Sequence, residues 1–166
     1  ISVDGSVVTL NRQLRRVYLT AQRARLTVLN PAFRSAMLGC SAEMIGTAST
    51  DRYDPIFEIR YANGCIGEGL EYPGTDTVGR RGNMFRIHKS FDSHMPRCRG
   101  LNPLYTAEGE GNVGAIAYST LCSMNELYAQ GARHGGQMIA ATESAMLDGA
   151  SIDTLLTGFE GHGMNS

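Results

Sequence analysis

The chain has 166 residues, of which 42% are apolar and 19% charged, with a formal charge of −1 at pH 7. That is enough chain for one domain with its own core, and too apolar for a disordered tail. The near-zero charge argues against a nucleic-acid footprint, and no apolar run approaches the roughly 18 residues of a membrane span.

In chain order, Ile1 to Leu10 is β-branched around Asp4-Gly5 and reads as a strand, the second arm of a hairpin. Residues 11–25 are Arg-rich and read as helix or solvated connector. Asn30-Pro31 is a good helix start, and Phe33, Ala36, Met37, Cys40, Met44 and Ile45 follow at helical spacing. Ile56 to Ala62 alternates like a strand, Asn63-Gly64 is a hairpin signal, and Cys65 to Leu70 is the returning partner. A short helix is expected over Arg80 to His88, then a loop from Lys89 to Asn112. Val113, Ile116, Ala117, Leu121, Met124, Leu127 and Tyr128 share one face of a long helix. Gln137 to Ala141 reads as strand, Thr142 to Leu147 as a helical turn or two, and Ile152 to Leu156 and Phe159 onward as final strands. No internal repeat is evident. Alternating helices and hairpins around one mixed or antiparallel sheet make an α+β layer architecture.

The four cysteines, Cys40, Cys65, Cys98 and Cys122, form no C-x-x-C pair. A zinc site from His88, His94 and Cys98 with Cys122 or His134 would have non-standard spacing, so idle thiols in a reducing, intracellular compartment are the favoured reading. Gly109 to Gly114 matches G-x-G-x-x-G, but Pro103 interrupts the strand that should lead in, and His134 stands where an acid is needed. It reads as a glycine-rich helix entry. Ser119 or Cys122 as a triad nucleophile lacks a G-x-S-x-G elbow.

The stretch from Ile56 to Asn83, with Asp76 three before Gly79 and Asn83 four after it, resembles the class III nucleotidyl cyclases. Gly135-Gly136-Gln137 to Glu143 is similar to that family's G-G-Q strand, and Val3-Asp4-Gly5 to its metal-binding hairpin arm. The resemblance implies a ferredoxin-like α+β core over 1–166, with an insertion at 88–134, working as a homo- or hetero-oligomer. Asp4 would be a metal carboxylate for Mg²⁺ or Mn²⁺, Asp76 would read the purine of ATP, and Asn83 and Arg86 would be catalytic. The family's transition-state arginine falls at Ile87, so Arg86 is one residue early. Its opening strand, with the first metal carboxylate, would lie upstream of Ile1, so the chain reads as a fragment. The resemblance therefore implies a catalytically degenerate cyclase domain, otherwise forming cyclic AMP from ATP within a dimer. From another class, a non-catalytic structural or interaction subunit would dock through Arg97 and Arg99. A weaker third reading is a fragment of a condensing enzyme.

Overall fold

The structure is a computed structural model that describes residues 2–4, 7–9, 32–42, 55–74, 83–103, 111–154 and 157–162. Its strands in chain order are β1 (Ser2–Asp4), β2 (Val7–Thr9), β3 (Ala32–Phe33), β4 (Ala36–Leu38) and β5 (Phe57–Arg60). There follow β6 (Ala62–Asn63), β7 (Ile66–Glu68), β8 (Glu71–Tyr72), β9 (Phe85–His88) and β10 (Arg99–Leu101). The last are β11 (Gly114–Ala117), β12 (Tyr128–Gln130), β13 (His134–Ile139), β14 (Ala150–Ile152) and β15 (Thr157–His162).

Apart from an antiparallel β1–β2 pair, every ladder is parallel. Five strands form one sheet in the order β15-β13-β11-β9-β5, and four form another in the order β14-β12-β10-β8. Single bridges continue the pairing between them, from Asn63 through Phe91 and Thr120 to Thr142, and from Ile66 through His94 and Ser123 to Ala145. The chain thus winds as a β-solenoid. Residues hydrogen-bonded across adjacent rungs lie 28, 29, 22 or 23 residues apart. Each rung buries its apolar side only against its neighbours, which is the logic of repeat architectures.

The expected α+β fold, with helices packed on a mixed or antiparallel sheet, is overturned: the described residues contain no helix, and their large sheets are parallel. The segment expected as a helix from Phe33 carries β3 and β4, the one over Arg80 to His88 ends in β9, and the one from Val113 to Tyr128 spans β11 and β12. The Asn63-Gly64 hairpin is likewise replaced by a bend, after which the chain continues around the rung. Strands expected near residues 56–62, 137–141 and 159 onward are present as β5, β13 and β15, with shifted ends, whereas of 152–156 only Ile152 is strand, as the end of β14, and 155–156 lie outside the described residues. Residues 88–134 carry β10, β11 and β12 and follow the same rung spacing.

The bends explain the error. Each is made by one residue at positive φ, and these residues stack in columns: Tyr61, Lys89, Tyr118, Ala140; Arg34, Gly64, Asp92, Leu121, Glu143; Gly39, Gly69, Arg97, Glu126, Asp148. A left-handed residue inserts one extra position into a strand's two-residue alternation. Inward side chains therefore recur every two or three residues and imitate a helical stripe. The bend amides are satisfied by the next rung: Tyr61 N–H donates to His88 O at 3.1 Å, Lys89 to Ala117 O at 3.0 Å and Tyr118 to Ile139 O at 2.8 Å.

Just past the bends, small polar residues point inward. Ser90 Oγ accepts from Ala62 N–H at 3.2 Å, Ser119 Oγ from Ser90 N–H at 3.1 Å, and Ser144 Oγ from Cys122 N–H at 3.1 Å. These hydroxyls supply acceptors where the backbone ladder turns and breaks. The core between them is stacked like on like: Phe57 on Phe85 with centroids 5.8 Å apart, Ile87 against Ile116, and Met95 with Met124. Where large side chains cross the core, the opposite wall of the same rung must be bare. A Cβ on Gly114 would sit 2.5 Å from Leu127 Cδ2.

Candidate functional site

Alternation in the five-stranded sheet sends Phe57, Ile59, Phe85, Ile87 and Ile116 into the core. Glu58, Arg60, Arg86, His88, Ala115, Ala117, Gln137 and Ile139 therefore stand on the opposite, lateral face. A cleft of about 660 Å³ lies on this face, lined by Arg60, Asn83, Arg86, His88, Asn112, Ala115, Ala117, Tyr118, Gln137 and Ile139. Its floor is β11, where two alanines take the places held by Arg86 and His88 one rung before and by Gln137 and Ile139 one rung after. The missing side-chain volume on the middle strand is what makes the depression. From Asn112 to Tyr118 the floor runs about 20 Å at the rise of an extended chain.

One end of the cleft is built from amides. Gln137 Nε2 donates to Glu160 Oε1 at 2.6 Å, and Asn112 Nδ2 donates to Gln137 Oε1 at 3.5 Å. An ionised carboxylate can only accept, so Glu160 turns the Gln137 NH₂ toward itself and the Gln137 carbonyl toward Asn112. Asn112 must then donate to Gln137, which fixes its own Oδ1 away from that bond. Asn112 is 2% exposed, and this oxygen is buried with no hydrogen-bond partner among the described residues. A buried acceptor without a donor is costly, and such atoms usually have a reason.

The other end is cationic and aromatic. Arg86 is 8% exposed, and its Nε donates to Glu58 Oε1 at 2.7 Å. Arg60 Nη1 stands 4.0 Å from Glu58 Oε2, and its guanidinium lies 5.2 Å from the centre of the Tyr61 ring. His88 is set between Tyr61 and Tyr118, with centroid separations of 6.3 and 5.9 Å. Burial, then Arg86 and Arg60, hold the His88 pKa below its ordinary value, with Glu58 opposing and Lys89 adding to the shift. A neutral imidazole offers one donor and one acceptor, and His88 Nδ1 is a second buried atom with no hydrogen-bond partner among the described residues.

The residues singled out from sequence are distributed as follows. Asn83 and Arg86 both line the cleft. Asp4 ends β1 and pairs with Val7 in the hairpin. Asp76 lies outside the described residues, as do Gly109 and Glu110 of the glycine-rich 109–114 stretch, whose remainder leads into strand β11 and not into a helix. His88, His94, Cys98, Cys122 and His134 are not gathered: among the described residues no three His, Cys, Asp or Glu side chains could hold a metal ion. Cys98 and Cys122 are buried thiols, and burial pushes the pKa of each up to about 11. Ser119 is an inward structural hydroxyl, and Arg97 and Arg99 pair with Glu68 and Glu71 on the outer surface. The residues that sequence reading missed are Asn112, Gln137, Tyr118 and Arg60. The one available signal was the recurrence of Asn, Ile, Ser and Met 29 residues apart, at 83 and 112, 87 and 116, 90 and 119, and 95 and 124.

No family model, curated protein or solved structure matches this chain. Among the described residues, no helix is long and apolar enough to cross a membrane. The cleft's described lining contains arginine, histidine, amide, tyrosine and small apolar side chains without a carboxylate. That donor set does not fit a divalent cation, which needs oxygen ligands and carboxylates above all. No step through Mg²⁺ or Mn²⁺ is derived for it.

Proposed function

We propose that the chain is a binding module whose lateral cleft holds a linear, polyhydroxylated ligand of saccharide type. This develops the interaction-protein reading, with the site on the sheet face instead of at Arg97 and Arg99. The observation that carries it is the cleft itself, a groove about 20 Å long with a floor of alanines, lined by planar amide and guanidinium groups with the Tyr118 ring at one end. A ligand hydroxyl accepts from a guanidinium, and Arg86 has N–H groups beyond the one given to Glu58. Planar amide and guanidinium groups read paired hydroxyls, while Tyr118, 57% exposed at the far end of the floor, offers a ring face for the C–H surface of a sugar. The groove is elongated and its floor is flat, which suits a chain-like ligand over a compact one.

The test is a titration of the full chain against a panel of oligosaccharides by calorimetry, with Ala117→Trp as the perturbation. Ala117 faces the cleft and not the core, so an indole there fills the binding space while the rung packing is kept. The expected result is saccharide binding by the parent chain and at least about a tenfold loss in Ala117→Trp at unchanged thermal stability. Equal affinity in both proteins refutes the proposal.

A further inference from the structure

Building on the saccharide reading of the same cleft, we propose that its Arg60 end is a subsite for an anionic substituent, so that the preferred ligand is an acidic, carboxylate-bearing saccharide. The chain as a whole carries a formal charge of −1, yet this end of the cleft gathers cations. Arg60, Arg86 and Lys89 surround His88, and Glu58 is the carboxylate that faces them. Glu58 is committed to Arg86, whose Nε it holds at 2.7 Å. Arg60 is 4.0 Å from the other oxygen, which is ion-pair range but beyond a hydrogen bond. Its side chain is 47% exposed, so the guanidinium fork remains available to a ligand.

The placement of the two flexible cations adds to the case. Arg60 lies 5.2 Å and Lys89 Nζ 5.7 Å from the centre of the same Tyr61 ring. One ring attracts both, but two like charges gathered on it repel each other. An anion seated beside Arg60 relieves that repulsion and converts a costly arrangement into a complementary one. The amide end, with Asn112 and Gln137, has no such charge, so the cleft is polar at one end and cationic at the other. A saccharide that sets a carboxylate at the Arg60 end and hydroxyls at the amide end, away from Glu160, satisfies both.

The experiment compares, at fixed ionic strength, binding of the full chain to short oligoglucuronates and to the same oligomers with their carboxylates reduced to alcohols. Polyglutamate and inorganic phosphate serve as anions without sugar. Oligoglucuronate is expected to bind about tenfold tighter than the reduced oligomer, as a charge-assisted contact should. Arg60→Ala should collapse that ratio toward one, Arg60→Lys should restore part of it, and Arg99→Ala, on the distant sheet, should leave both affinities unchanged. Circular dichroism of each variant checks that it folds. Equal affinity for the two oligomers overturns the anionic subsite and leaves the saccharide reading standing. Polyglutamate or phosphate binding as tightly as oligoglucuronate overturns it too, because charge alone then suffices. Failure of both oligomers to bind refutes the saccharide reading beneath it.

Discussion

Replacing Ser119 with alanine tests how the solenoid turns its corners. Ser119 is 1% exposed, its Oγ accepts the Ser90 N–H at 3.1 Å and donates to Ala117 O at 2.9 Å. Alanine removes the hydroxyl and leaves the Ser90 N–H buried at the bend without its acceptor. An orphaned buried donor costs about 1–3 kcal/mol, against a total stability of about 5–15 kcal/mol for a domain. At about 2–4 °C per kcal/mol for a chain of this size, a loss near 2 kcal/mol lowers Tm by about 4–8 °C. Urea denaturation followed by circular dichroism should give a lower midpoint at unchanged slope, and hydrogen exchange should show faster loss of the Ser90 amide proton. Ser123→Ala is the comparison. Its hydroxyl bonds the part-exposed His94 ring at 2.9 Å, so its cost should stay near 0.5 kcal/mol. If Ser119→Ala and Ser123→Ala are equally stable and Ser90 exchange is unchanged, the inward-hydroxyl account of the bends is wrong.

The bend columns give a second prediction, of opposite sign. Glu126 is exposed and holds φ near 54°, so Glu126→Asn should raise stability by about 0.5–1 kcal/mol, because asparagine tolerates the left-handed region better. Thermal melts of the two proteins measure it. His88 gives a pH dependence. The fold lowers its pKa from 6.5, through burial and the charges of Arg86, Arg60 and Lys89, opposed by Glu58, with Tyr61 and Tyr118 packed on either side. The unfolded chain therefore binds the proton first as pH falls. The His88 contribution to stability is complete above about pH 6.5 and is lost as pH drops toward the folded-state value. His88→Gln should flatten the denaturation midpoint between about pH 7.5 and about pH 5, and an unaltered profile would rule this histidine out.

The parts of this fold that could be read from sequence are those where the chain behaves as an ordinary strand. Phe57 to Arg60 alternates over its four residues and is a strand, and the strand expected from Gln137 is the second half of His134–Ile139. The misreading at 113–128 has a specific cause. Tyr118, Leu121 and Glu126 each take the left-handed conformation without being glycine, asparagine or aspartate, so nothing in their identity announces a bend. The extra residue at each bend then moved Ile116, Met124 and Leu127 onto an apparent helical face. The repeat was hidden for a related reason. A solenoid requires only that each layer supply the right shape, so Met138 can follow Ile116 without sequence identity. The spacing also shortens from 29 to 22 residues between consecutive rungs, which defeats a search at fixed period.

The cleft was legible only in fragments. Asn83 and Arg86 were singled out because of a family resemblance, and their place in the lining owes nothing to that resemblance. What defines the site is a difference between rungs: Arg86 and His88, then Ala115 and Ala117, then Gln137 and Ile139. A local motif search cannot register this, because the three pairs are brought side by side only by the winding of the chain. The Asn112 to Glu160 relay is less visible still, since it joins residues from three rungs.

The central claim is that the lateral cleft, with Asn112 in its lining, binds a saccharide. Calorimetric titration of the parent chain and of Asn112→Ala with the same oligosaccharide tests it most directly. The account predicts measurable binding by the parent and about a tenfold or greater loss in the variant, because Asn112 donates to Gln137 Oε1 and so holds the Gln137 amide in the cleft lining. Identical affinities, or no binding by the parent chain, would contradict it.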